Sequence, residues 1–248
     1  MMRVLGYIFG AVFHFFFFLM LCIFQPIQWI CYRWFGYKAH KVSVDILNFF
    51  LTYCNWLLFN SVTFTNKQNL PSNKPIIFVA NHQSMYDIPG LIWYLRKHQP
   101  KFISKIELTK GIPSISFNLK YGGGANIDRK DSKQAIAEII KLGRKMAANN
   151  WSAVIFAEGT RAKDGKLKPF QVGGIATLLK IAPESLVVPV AIKNSWRIVR
   201  YGNLPLTIGN PISWTVLEPI DKTGKTAEEI TLEAEQSIRI VLDQILSA

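Results

Sequence analysis

From Val4 to Tyr32 the chain carries no charged residue, and the run includes Phe15-Phe16-Phe17-Phe18-Leu19-Met20. As a helix this stretch reaches about 43 Å, against a hydrocarbon core of about 30 Å. A secretory signal is not expected, because the apolar run is too long and no small-residue cleavage site follows it. A second uncharged run, Ile46 to Phe64, follows a polar link that holds Arg33, Lys38, His40 and Lys41. Two full spans would carry those cations across the membrane, which the distribution of basic residues disfavours. Residues 1–64 are therefore expected to form a helical hairpin inserted from one membrane face. Residues 65–248 are expected to form the α/β domain. A long apolar helix buried in a soluble protein is the alternative.

Beyond the hairpin, strand and helix signals alternate. Val62–Thr65, Ile76–Ala80, Lys101–Ser104, Ala153–Ala157 and Leu186–Ile192 read as strands. Helices are predicted over 87–98, near 114–121, from Asp131 onward and over 172–182. The apolar residues of the third are Ile136, Ile139, Ile140 and Ala147. Thr226 and Glu229 form a capping box for a last helix with Ile230, Ala234, Ile238, Val241 and Ile245 on one face. This order predicts a mixed, largely parallel sheet flanked by helices. Pro189, inside Leu186–Ile192, reads as the mark of a bulged or edge strand.

Charge narrows the function. Residues 67–217 carry 22 Lys/Arg against 8 Asp/Glu, and residues 218–248 carry 3 against 7. A basic body points to an anionic partner: a phospholipid headgroup, a phosphorylated substrate or nucleic acid. No basic helix with interleaved aromatics and no zinc finger occurs, so nucleic acid is not expected. Cys22, Cys31 and Cys54 all fall in the apolar amino-terminal third, without metal-ligand spacing. They read as buried thiols, which sets aside a cysteine nucleophile and a disulfide scaffold.

Asn81-His82-Gln83-Ser84-Met85-Tyr86-Asp87 joins a buried strand to a helix start. A strand-to-helix turn lets Asp87 fold back on His82, the arrangement of a base and the carboxylate that orients it. Alternatively Asp87 caps the helix and His82 is a polar turn residue. His14 and His40 belong to the hairpin region, and His98 reads as a solvated helix end. At the end of a second apolar strand stand Glu158, Gly159, Thr160 and Arg161. Open α/β sheets bind ligands at such strand ends. Glu158 can accept a hydrogen bond from a hydroxyl and Arg161 can hold a phosphate; a surface turn with a salt bridge is the alternative. Lys105 and Asn126-Ile127-Asp128-Arg129 add cations that could hold a phosphate, although in so basic a protein solvated surface charge is the stronger alternative. No Gly-x-Ser-x-Gly elbow is present. Gly159…Gly165-Lys166 fails as a phosphate loop.

Taken in order, Asn-His-x4-Asp, Asn-Ile-Asp-Arg, Phe-x-Glu-Gly-Thr-Arg and Val-x-Pro-Val resemble the glycerolipid acyltransferase family. Within it they are most similar to the bacterial lysophosphatidate (1-acyl-glycerol-3-phosphate) acyltransferases. The resemblance covers roughly residues 75–192. It implies that His82 is the general base and that Asp87 orients it. It implies that Glu158 and Gly159 help position the acceptor glycerol, that Arg161, Arg129 and Lys105 hold its phosphate, and that Thr160 belongs to the same substrate-binding set. The Pro189 strand would be structural or line the thioester site. The donor would be an acyl thioester of CoA or acyl carrier protein, with no cofactor and no metal. Membrane lipids would be the partners, at the cytoplasmic face of the plasma (inner) membrane. A glycerol-3-phosphate or other lysophospholipid acyltransferase is the near alternative. A non-catalytic protein that binds anionic lipid is the distant one.

Overall fold

The structure is a computed structural model and describes residues 2–243. It opens with α1 (Met2–Tyr53), which breaks at Gly36, where φ is 77°. An L side chain is strained at that angle, so glycine is where the chain turns. Leu21 and Phe24 on one side of the break pack with Leu47 and Leu51 on the other, so the two arms form a hairpin. The expected hairpin is present, but its link is shorter than the sequence indicated, because residues 37–41 are already helical. The second arm is also shorter. Its α-helix ends at Tyr53, a 3-10 turn follows (Cys54–Leu58), and the sheet begins. Residues 37–53 span about 25 Å as a helix, less than a hydrocarbon core of about 30 Å.

The strands are β1 (Ser61–Asn66), β2 (Ile76–Ala80), β3 (Pro100–Lys105), β4 (Ala125–Ile127), β5 (Ser152–Phe156), β6 (Leu186–Lys193) and β7 (Pro211–Val216). Among the described residues they form one sheet in the order β1-β7-β6-β2-β5-β3-β4. Every neighbouring pair is parallel except β6 with β7. This is the mixed, largely parallel sheet that the strand–helix alternation predicts. The expected boundary between residues 64 and 65 falls inside β1, which pairs with β7 from Ser61 onward.

The helices after the hairpin are α2 (Asp87–Tyr94), α3 (Ile115–Tyr121), α4 (Ser132–Asn149), α5 (Val172–Ile181), α6 (Ser195–Ile198) and α7 (Ala227–Val241). They cover the sheet in two layers. β2 is buried throughout, and its side chains alternate between them. Phe78 and Ala80 join Leu91 and Leu95 of α2 and Phe13 and Val44 of the hairpin. Ile77 and Val79 join Ile139 of α4, Ile175 of α5 and Ile238 of α7. The hairpin is thus packed into the domain's own core. Full burial of a side chain such as Phe13 contributes about 1.5–3 kcal/mol relative to exposure.

Four local expectations need correction. Pro189 lies in β6, between β7 and β2, and not on an edge. Its carbonyl accepts from Leu217 N at 2.9 Å, one residue past the end of β7. The missing N–H therefore falls where that ladder stops, which is why a proline is tolerated mid-sheet. In α4 the buried face is Ile139, Leu142, Gly143 and Met146, while Ile136 is exposed. His98 is half-buried, with its Nδ1 shielded from solvent, and its ring packs edge-on against Phe78. The three cysteines are free but only half-buried. Both helix caps hold: Asp131 accepts from Gln134 N, and Thr226 and Glu229 form the capping box. Ile245 lies outside the described residues.

Candidate active site

The site grows from parallel register. Ala80 of β2 is paired with Phe156 of β5. Two residues further on, His82 and Glu158 meet: the His82 N–H donates to Glu158 Oε1 at 2.7 Å. Beside β2 on its other flank, the Asn81 side chain extends the ladder. It donates to Ile192 O at 2.8 Å and accepts from Ile192 N at 2.7 Å. The backbone that carries His82 is therefore fixed from both sides.

Asp87, the first residue of α2, is fully buried and surrounded by donors. Its Oδ2 accepts from His82 Nδ1 at 2.8 Å and from the backbone N–H groups of Gln83 at 2.7 Å and Ser84 at 2.9 Å. Its Oδ1 accepts from Ser195 Oγ on α6. Trp214 Nε1 donates to the Asp87 carbonyl at 3.1 Å and holds the start of α2 against β7. Asp87 does not cap α2, whose N-cap is Tyr86 without a side-chain cap bond; its carboxylate instead binds the N–H groups of the preceding turn and the imidazole together. An ionised carboxylate only accepts, so Nδ1 donates and Nε2 keeps the lone pair. The His82 ring stacks on Phe156, with centroids 3.9 Å apart and planes at 14°. The residue is only 8% exposed.

His82 stands in a cleft of about 1070 Å³. Lys105 ends β3 and pairs with Ile127 of β4, two residues before Arg129. Lys105 and Arg129 line the cleft with Gly159, Thr160 and Arg161. Strand ends of β2, β3, β4 and β5 thus converge on one opening, as the rule for open sheets requires. Gly159 turns the chain at φ 68°, a conformation side chains other than glycine rarely take.

Two expected site residues do not face the cleft. Asp87 lies behind His82. Glu158 is 6% exposed, and its second oxygen accepts from Lys168 N at 3.0 Å. Each of its oxygens accepts from a backbone N–H, one of them that of His82, and its side chain does not line the cleft. Burial pushes its carboxyl up to about 7 from an ordinary 4.5, although the two N–H groups pull the other way. Residues the sequence did not single out are Ser195, Lys163 and Lys168, and Phe156 entered only as the first position of the Phe-x-Glu-Gly-Thr-Arg motif. Lys163 and Lys168 line the cleft. Lys168 Nζ also donates to Thr160 Oγ1 at 3.0 Å and to Arg161 O at 2.8 Å, bracing the loop that presents Arg161. Among the described residues, no group of three or more His, Cys, Asp or Glu side chains is placed to hold a metal ion.

A second, mostly apolar cavity of about 210 Å³ adjoins the cleft. Ile88, Phe102, Ser104, Leu108 and Arg161 line both spaces. Its walls come from the hairpin, α2, β3 and α3.

A histidine held by a buried carboxylate, above a cleft lined with cations, is an arrangement in which an imidazole can take a proton beside an anionic group. A family model described as Acyltransferase matches residues 61–193. The chain belongs to this acyltransferase family. The 1-acyl-sn-glycerol-3-phosphate acyltransferase of Chlamydomonas reinhardtii is 32% identical over 166 residues, covering 66% of this chain and 48% of that protein. The human 1-acyl-sn-glycerol-3-phosphate acyltransferase beta is 31% identical over 163 residues, 66% of this chain and 57% of its own length. This chain spans about half the length of the curated relatives it matches. The crystal structure of the 1-acyl-sn-glycerophosphate (LPA) acyltransferase PlsC from Thermotoga maritima shares the fold over 100% of both chains, with a TM-score of 0.78 and 22% identity.

Proposed function

We propose that this protein transfers a fatty acyl group from an acyl thioester to the free 2-hydroxyl of lysophosphatidate, giving phosphatidate. The observation that carries the reading is the His82–Asp87 pair at 2.8 Å, set in a cleft that Lys105, Arg129 and Arg161 also line. The 1-acyl-sn-glycerol-3-phosphate acyltransferase names of the relatives agree with it.

In this mechanism the phosphate of the acceptor lies among Arg161, Arg129 and Lys105. That fixes the glycerol near His82, and Gly159 and Thr160 border its path. Nε2 takes the hydroxyl proton as the oxygen attacks the thioester carbonyl. The C–O bond forms, the tetrahedral oxyanion collapses, the C–S bond breaks and the thiolate leaves with a proton. Asp87 stabilises the imidazolium that exists between the two transfers. A thioester is activated enough to need neither a metal nor a covalent enzyme intermediate. The donor is an acyl-CoA or an acyl carrier protein thioester, and its chain lies in the apolar cavity beside the cleft.

The hairpin brings this site to the lipid surface. Phe15, Phe16, Phe18, Trp29, Trp34 and Phe35 are exposed on it. Residues 2–58 hold the one helix among the described residues that is long and apolar enough to cross a membrane. The hairpin inserts from the cytoplasmic face of the plasma (inner) membrane, and its packing into the core keeps the cleft at the interface.

The test is acyl transfer in detergent to a panel of lysophosphatidate, glycerol-3-phosphate and lysophosphatidylcholine. Lysophosphatidate is expected to give the highest kcat/KM. A higher value for either other acceptor overturns the assignment.

A further inference from the structure

The apolar cavity has a polar floor. Gln28 and His40 both line it, and both are fully buried. Among the described residues, neither amide atom of Gln28 and neither ring nitrogen of His40 has a hydrogen-bond partner. Polar neighbours on the same wall are satisfied. Asn48 Nδ2 donates to Val44 O at 2.7 Å, Ser114 Oγ donates to Leu21 O at 2.7 Å, and Lys101 Nζ donates to Tyr37 Oη. Tyr32 and Phe117 hold the His40 ring edge-on, with centroids 5.6 and 5.5 Å away. The imidazole is held by aromatic contacts and makes no hydrogen bond among the described residues.

These two residues sit beside the turn of the hairpin, away from the cleft. Phe17, which lines the same cavity, packs against Tyr86 next to the active-site turn. From Phe17 to Gln28 the helix rises about 16 Å. The cavity therefore runs from a mouth at the cleft, where Ser104 and Arg161 stand among apolar residues, to two polar side chains without a hydrogen bond among the described residues. An unpaired buried donor or acceptor costs about 1–3 kcal/mol. Water can satisfy the floor when the cavity is not filled to its end. A hydrocarbon chain that reaches the floor displaces that water and offers nothing in return.

We propose that Gln28 and His40 form a hydrogen-bonding subsite at the far end of the acyl cavity, which takes a chain-terminal hydroxyl in preference to a terminal methyl. The inference rests on the acyl-transfer reading and adds the specificity of its donor site. Chains too short to reach the floor are transferred alike whatever their terminus. The longest chain transferred is better accepted when it ends in a hydroxyl, which replaces the water. Neither residue touches the His82 site.

The experiment is competition between acyl-CoA donors of equal length, one methyl-terminated and one ω-hydroxylated, over a series of lengths. The full chain is used with lysophosphatidate in detergent. In the wild type the two are expected to transfer equally at short lengths, and the hydroxylated donor to lead about tenfold at the limiting length. A purely steric floor gives equal transfer at every length, and that result overturns the proposal. The Gln28→Leu/His40→Phe double variant is expected to reverse the preference and accept longer methyl-terminated chains. The wild-type series decides on its own, whatever the stability of the variant. Absence of transfer from every donor and acceptor overturns the acyl-transfer reading and this inference with it.

Discussion

The backbone N–H of His82 donates to Glu158 Oε1 at 2.7 Å, while the His82 ring is held separately by Asp87. Base and carboxylate belong to adjacent parallel strands, two residues beyond the paired Ala80 and Phe156. The histidine is therefore fixed twice, its main chain through β5 and its imidazole through α2.

Glu158→Gln tests this division of labour. The amide keeps one acceptor oxygen but turns an NH₂ toward a backbone N–H. We expect kcat to fall about tenfold or more while the acceptor KM stays near wild type. A residue that bound the glycerol directly would raise KM instead.

Glu158 also predicts a slope of stability with pH. Burial raises its carboxyl from 4.5 to about 7 in the folded protein, so the folded state holds the proton more tightly than the unfolded one. Its contribution to stability is complete below about 4.5 and is lost as pH rises through about 7. Denaturant unfolding across that window should show the decline in wild type and a shallower one in Glu158→Gln. Equal slopes would contradict the assignment.

Ser195→Ala removes the hydroxyl that donates to Asp87 Oδ1. A hydrogen bond to a charged group contributes about 1.5–3 kcal/mol, so kcat should drop about tenfold or more. The acceptor KM should stay near wild type. A merely structural serine would lower thermal stability and leave kcat in place.

Arg161→Ala should raise the KM for lysophosphatidate about tenfold or more and leave the donor KM nearly unchanged. Arg129→Ala and Lys105→Ala should act in the same direction. Equal weakening of donor and acceptor would remove the phosphate from this part of the cleft.

Trp34→Asp with Phe35→Asp places charge on two exposed aromatic residues beside the hairpin turn. Sedimentation with anionic vesicles should fall severalfold, while transfer to detergent-dispersed acceptor is retained. Unchanged vesicle binding would show that the hairpin is not what meets the lipid.

Where the relationship is local, the sequence carries it. The strand, turn and helix that join His82 to Asp87 occupy nineteen residues, Ile76 to Tyr94, and their apolar spacing marks all three. Strand ends bearing Lys105 and Arg161 were legible for the same reason, whereas β4, which leads to Arg129, is only three residues long and was not legible as a strand. The role of Glu158 was not, because a carboxylate on a turn can face either the ligand or the neighbouring backbone. Only the register of β2 with β5 decides between them. Ser195 acts across the fold from Asp87, and a serine after a strand carries no signal of its own. β7 was readable in principle, since Ile212, Trp214 and Val216 alternate inward. Pro189 misled because its tolerance depends on where the neighbouring strand ends. His40 was assigned only to the hairpin region, since nothing in an apolar hairpin tells which of its polar residues face a cavity.

The most direct measurement is transfer of a labelled acyl group from a thioester to lysophosphatidate, with wild type and His82→Ala side by side. The wild type should form phosphatidate. The variant should fold and bind lipid but lose at least ~10²–10⁴ in rate, the contribution of one positioned base. Equal rates from the two proteins, or no phosphatidate from wild type with either CoA or carrier-protein thioesters, would contradict the account.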